Sequence, residues 1–184
     1  IERIPAKPYA PSAASNVSDM EQLHYNEKFY IRLLQNMFDS PEQLKLQSEY
    51  LGIHLDADAY QCIYIEFFDH TNNNLSKEKQ LSLYTSAYNL LHELIIKYFS
   101  AVVIPLDVNH CAVIATIRQT DGKNSPDTTH IIEALSQMQA SLRKYYNIVM
   151  KAGIGSVVTS PPKLSESYQY ARQAYSFIDD GHSF

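Results

Sequence analysis

The sequence predicts an α+β domain built on a ferredoxin-like, split βαβ sheet, with helices packed on it and two further helices in front. Three observations lead there. Four runs, Tyr60–Phe68, Ala101–Pro105, Cys111–Ile117 and Ile148–Val158, have strand length and are rich in β-branched, aromatic or alternating apolar residues. Long segments with helical spacing separate the first strand from the second and the third from the fourth. Only Leu106-Asp107-Val108-Asn109-His110 joins the middle pair, a hairpin connection by length and composition. The resulting order, β-α-β-β-α-β-α, is that of a split βαβ sheet. Right-handed crossover then sets the first and third strands side by side and antiparallel.

Residues 1–18 carry three prolines and no hydrophobic period, and are expected to be an extended linker. Residues 19–51 are expected to form the two N-terminal helices, ahead of the α+β domain at 52–184. The first helix runs from Asp19 to about Phe38, with Leu23, Tyr30, Leu33, Leu34 and Met37 at helical spacing. The second opens on Ser40-Pro41-Glu42-Gln43. Serine caps, proline takes the first helical position and glutamine completes a capping box. Gly52 follows Leu51, where a left-handed residue ends such a helix.

Within the domain, Thr71 to Asn74 reads as a polar loop after the first strand. A helix from Lys77 to Phe99 places Leu81, Tyr84, Leu91, Leu94, Ile95 and Tyr98 on one face. Asp121 to Ser125 is a turn, and Pro126 suits the first position of a helix carrying Ile131, Leu135, Met138, Leu142 and Tyr145. Pro161-Pro162 punctuates the chain after the fourth strand. The final helix carries Leu164, Tyr168, Ala171, Tyr175 and Ile178, and Asp179-Asp180-Gly181 ends it.

Composition excludes several functions. Acids outnumber bases 20 to 15, the net charge is −5, and Arg143-Lys144 is the nearest approach to a basic cluster. Gripping nucleic acid by its phosphates normally needs a Lys and Arg surplus, so direct DNA or RNA binding by this chain is disfavoured. Cys62 and Cys111 sit in apolar runs and read as small hydrophobes in a reducing compartment. As each lies near the start of its strand, they are expected toward opposite ends of the sheet and not to form a disulfide. The histidines are scattered singly, so no structural metal is expected. No apolar stretch approaches the roughly 20 residues of a membrane span. The first residue is isoleucine, which fits a piece of a longer protein.

Two stretches carry a family likeness. One is Leu51-Gly52-Ile53-His54-Leu55-Asp56-Ala57-Asp58-Ala59-Tyr60-Gln61-Cys62-Ile63-Tyr64-Ile65, within Glu42 to Ile65. The other, more specific one is Ala152 to Tyr175: Gly153-Ile154-Gly155, then Leu164-Ser165-Glu166-Ser167-Tyr168-Gln169-Tyr170-Ala171-Arg172-Gln173-Ala174-Tyr175. Together they resemble the central, degenerate GGDEF-like domain of AraC-type regulators, including the response-regulator kind. GGDEF-like domains of PucR and sugar-diacid regulators share the pattern. The resemblance covers roughly residues 20–184 and implies a nucleotidyl-cyclase-like sheet. It also implies paired helix-turn-helix units downstream of the last helix.

A cyclase of that fold needs carboxylates for a Mg²⁺ pair and a glycine-bearing hairpin that phosphates can approach. The matching hairpin, Pro105 to Cys111, has no glycine and a single carboxylate, Asp107. Glu66 and Asp69 end the first strand, and with Asp107 they read as strand-end acids facing water. Gly153-Ile154-Gly155 lacks a third glycine or a Lys-Ser/Thr pair, so it marks a bulge or a close helix contact. Tyr168 and Tyr175 fall on the apolar stripe of the last helix and read as core, while Tyr170 lies off it. No Ser-His-Asp grouping stands out.

The expectation is therefore a non-catalytic signal-relay domain of a bacterial AraC-family regulator, with no catalytic residue, cofactor or metal. It would be cytoplasmic, self-associate as a homodimer, and contact an upstream sensor or receiver and the downstream DNA-binding part. It would touch neither nucleic acid nor membrane itself. A small-molecule or nucleotide sensor using the former cyclase pocket is the alternative.

Overall fold

The computed structural model describes residues 13–69, 75–118 and 128–178, without the side chains of 13–19. In chain order the elements are α1 (Ala13–Leu34), α2 (Pro41–Leu51), β1 (Ala59–Asp69), α3 (Lys77–Tyr98), β2 (Ala101–Pro105), β3 (His110–Ile117), α4 (Thr128–Tyr146), β4 (Ile148–Val158) and α5 (Leu164–Ser176). A single 3-10 turn, Pro161–Lys163, leads into α5.

The strands form one antiparallel sheet in the order β2-β3-β1-β4. β3 lies between β1 and β2, so the βαβ unit is split as the element order predicts. β1 and β3 are in register from Ala59 opposite Ile117 to Glu66 opposite His110.

Alternation along the strands feeds two cores. Ile63, Ile65 and Phe67 face α3 and α4, and pack with Leu91, Ile95, Leu135 and Met138. Tyr60 and Cys62 face the other way, toward Phe29, Leu33 and Leu34 of α1, Leu44 of α2 and Leu164 and Ala171 of α5. Each fully buried Leu or Ile contributes about 1.5–3 kcal/mol, so both layers hold the sheet.

Several boundaries differ from expectation. α1 begins at Ala13, inside the stretch expected as a linker, and ends at Leu34 rather than near Asp39. The early stop has a local cause. Asn36 adopts φ 55°, and Met37 N–H turns back to Arg32 C=O at 2.9 Å. Consequently Met37 is exposed, and Phe29 takes the buried place on α1, while Leu23 also faces out. Leu81 and Tyr145, expected on apolar faces, are exposed as well. α5 stops at Ser176, before Ile178. Residues 1–12, the Thr71 to Asn74 loop, the 121–125 turn, Pro126 and the Asp179-Asp180-Gly181 stop lie outside the described residues.

The caps of α2 match expectation. Ser40 accepts from Gln43 N–H at 3.1 Å, and Gly52 takes φ 68°. Gln43 completes the box one residue early, accepting from Asp39 N–H at 2.8 Å. The two cysteines are free and buried. Cys62 pairs with Ile114 and Cys111 with Ile65, three register steps apart. They belong to different cores, so the sheet itself stands between them, a stronger separation than the expected one along the strands.

Candidate functional site at the hairpin end of the sheet

β1 ends in a row of titratable side chains across three strands. Glu66 lies opposite His110 on β3 and opposite Lys151 on β4. All three belong to the α5 side of the sheet, where Tyr64 is the next β1 residue on the same face. The β2–β3 hairpin, residues 106–109, folds over this row.

Glu66 is the centre of the cluster. One of its oxygens, Oε1, accepts from Asn109 Nδ2 at 3.2 Å and lies 3.3 Å from His110 Nε2. The other, Oε2, accepts from the Tyr175 hydroxyl on α5. Its side chain is only 14% exposed. Thus Glu66 does not face water; the hairpin and α5 cover it.

Asp107 organises the hairpin. Its Oδ1 accepts from the backbone N–H groups of Asn109 and His110 at 3.1 and 2.9 Å, an Asx-turn pattern. His110 Nδ1 stands 2.7 and 2.9 Å from its two oxygens. Burial pushes the Asp107 carboxyl up, but the His110 ring and the two backbone donors outweigh it and hold the group below its ordinary range. The same donors do for this turn what a glycine-rich backbone does elsewhere. Among the described residues only Asn36, Asn147 and Gly52 have positive φ, so the hairpin needs no left-handed residue.

Aromatic rings wall the cluster. Tyr64 lies 5.6 Å from the His110 ring, 5.1 Å from Tyr175 and 6.1 Å from Tyr168. Burial pushes the Tyr64 phenol up to about 12 and raises that of Tyr168. Arg172 lies 6.0 Å from the ring centres of both Tyr64 and Tyr168, and Lys151 Nζ 5.1 Å from that of Tyr175. Tyr168 and Tyr175, expected as core, are half-buried and line this cluster. Tyr170 is exposed, off the stripe as expected.

α5 can lie this close to the sheet because of the two glycines of β4. A Cβ on Gly153 would collide with Ala171 C=O and the Tyr175 backbone, and one on Gly155 with Ser167 C=O. Gly153-Ile154-Gly155 is therefore a seat for a helix, in agreement with the reading as a close helix contact. Gly155 also belongs to a bulge. Gln61 pairs with Val157 but Ile63 with Ile154, leaving Gly155 and Ser156 opposite Cys62 alone.

The acids expected at the first strand's end do not converge. Asp69 pairs with Ile148 and its position in the alternation puts it on the α3–α4 face, away from Glu66. Glu66 and Asp107 come near each other, but His110 stands between them. Their oxygens are engaged by donors of the chain itself, and the hairpin has no glycine to admit phosphates. The residues present therefore do not fit a Mg²⁺ pair. Among the described residues no group of three or more His, Cys, Asp and Glu side chains is disposed to hold a metal ion. No helix among them is long and apolar enough to cross a membrane.

Asn109 and His110 were not singled out from sequence as partners of Glu66. Their meeting follows from the β1–β3 register, which the β2–β3 connection does not fix, and neither it nor the places of Tyr64 and Arg172 had a local signal in the sequence.

No match to the chain is found among curated proteins. The GGDEF-like domain family matches residues 36–177, from just after α1 through α5. That span holds the whole sheet, the hairpin and the glycine seat of α5, and on this match the chain belongs to the GGDEF-like domain family.

Proposed function

We propose that this chain is a non-catalytic, signal-relaying domain of a bacterial AraC-type transcription regulator. The observation that carries the reading is the engagement of Glu66. At the place where a cyclase of this fold would gather metal and phosphate, both oxygens of Glu66 are held by Asn109, His110 and Tyr175. Three further features support it: the likeness of Ala152 to Tyr175 to such regulators, the net charge of −5, and helices both before the first strand and after the last. In this reading α1 receives movement from an upstream sensor or receiver. α5 passes it to DNA-binding helices beyond this domain, as small shifts of packed elements do. The domain acts in the cytoplasm as a homodimer and leaves DNA contact to those helices.

The test uses the full-length regulator with an inducible reporter. Met20→Ser and Leu23→Ser, both at exposed α1 positions, are expected to reduce inducer-dependent transcription at normal protein levels. Unchanged induction would sink the relay role of α1. Incubation with GTP and Mg²⁺ or Mn²⁺ is expected to give no cyclic dinucleotide, and turnover would overturn the non-catalytic assignment. A rise in melting temperature with GTP alone would favour a nucleotide sensor instead.

A further inference from the structure

The geometry points to a coupling between α5 and the β2–β3 hairpin that runs through the Glu66 carboxylate, so that each sets the other's conformation. The inference names the wiring inside the proposed relay and rests on that reading for its biological purpose, while the coupling itself is testable alone. The hairpin joins β2 and β3 on one side of β1 and α5 follows β4 on the other, yet both donate to one side chain of β1. Tyr175 donates to Oε2; Asn109 Nδ2 donates to Oε1 and also to Phe67 C=O at 3.2 Å. Phe67 N–H in turn donates to Asn109 C=O at 2.9 Å, closing a ring of hydrogen bonds around the hairpin base.

A carboxylate that is 14% exposed has little water to replace a lost donor. Removing Tyr175 from Oε2 leaves Asn109 Nδ2 as the hydrogen-bond donor to the carboxylate, which shifts the side chain toward the hairpin. α5 is free to transmit only as a unit, because Gly153 and Gly155 seat its backbone directly on β4. Movement of that seat therefore displaces the Tyr175 hydroxyl and with it the Glu66 carboxylate. By reciprocity, anything that rearranges the hairpin biases α5 by the same free energy.

Amide hydrogen exchange by NMR on the whole chain tests this, comparing Tyr175→Phe with Tyr168→Phe. Both remove one hydroxyl from the same face of α5, but only Tyr175 touches Glu66. The expected result is exchange at the Phe67 amide about tenfold faster in Tyr175→Phe, as a lost bond to a charged group implies. In Tyr168→Phe it stays within about twofold. A reciprocal variant, Asn109→Ala, is expected to accelerate exchange in the last turn of α5. Equal Phe67 exchange in wild type and Tyr175→Phe would overturn the coupling, as would equal acceleration by Tyr168→Phe, which marks mere loosening of α5. Loss of α1-dependent induction with the coupling intact would instead overturn the relay reading alone.

Discussion

The hydroxyl of Ser167 on α5 accepts from the backbone N–H of Cys62 in β1 at 2.9 Å. The same hydroxyl donates to Ser156 C=O on β4 at 2.6 Å. It stands where the β4 bulge breaks the ladder, and supplies both halves of the strand-to-strand bond that the bulge removes. A helix residue thus completes a sheet. Gln61 Nε2 satisfies the neighbouring Gly155 C=O at 2.8 Å.

Ser167→Ala follows directly. It leaves the buried N–H of Cys62 without its partner, at a cost of about 1–3 kcal/mol, while the C=O of Ser156, an exposed residue, can turn to water. Urea unfolding should show a lower midpoint with an unchanged slope. Wild-type stability of this variant would mean that the bulge is closed by other means.

Gly155→Ala tests the seat of α5. The added methyl collides with Ser167 C=O, and Gly153→Ala with Ala171 C=O, so α5 must lift in either case. Overpacking against backbone costs about 3 kcal/mol or more, the upper part of the usual range. Lifting α5 also pulls Ser167 from the bulge and Tyr175 from Glu66. Gly155→Ala and Ser167→Ala share that contact, so their double mutant should be less destabilised than the sum.

The strands and the seat were legible in the sequence, and the cluster was not, for separable reasons. β2 and β4 stand where their apolar composition places them, because a strand buried on a face has to be apolar at every second position. Gly153 and Gly155 were readable because few other reasons put two glycines into a strand. Periodicity names the face of a helix but not the length of its neighbour. Leu23 and Leu81 lie on apolar stripes that run past the elements beneath them, and so face out. The meeting of Glu66 with His110 depends on the register of β1 against β3, two strands that no hairpin joins. Its meeting with Tyr175 depends on how α5 lies over the sheet, which no local pattern encodes. Ser167 looked like an ordinary helix residue because the bulge that it fills exists only in the folded chain.

Asp107 gives the hairpin an acid-sensitive hold. Its folded value lies below the ordinary 3.8, which is near that of an unfolded chain. Its contribution is therefore fully present above about pH 4 and is lost as pH falls through the lower, folded value. Asp107→Asn should remove that part of the acid limb and leave the rest of the stability profile in shape. The side chain is 56% exposed, so solvent screening keeps the effect small. Parallel melting curves of the two proteins from pH 7 to pH 3 would check it, and a constant gap between them would count against it.

The thiols give a probe of the two cores separately. Burial pushes Cys62 up to about 12 and raises Cys111 further. Thiolate, not thiol, is the reactive form, and both groups are fully enclosed, so neither should react with Ellman's reagent in the native protein at pH 8. In urea both should react at once. The informative condition lies between them. Cys62 sits beneath α5, with its Sγ 3.6 Å from Leu164 C=O, whereas Cys111 is sealed under α3 and α4. If α5 is the element that moves, limited denaturant or Gly155→Ala should expose Cys62 before Cys111. Mass spectrometry of labelled peptides would identify which thiol opens first. Earlier labelling of Cys111 would place the weaker layer on the α3–α4 side, and leave α5 as the firmly held face of the sheet.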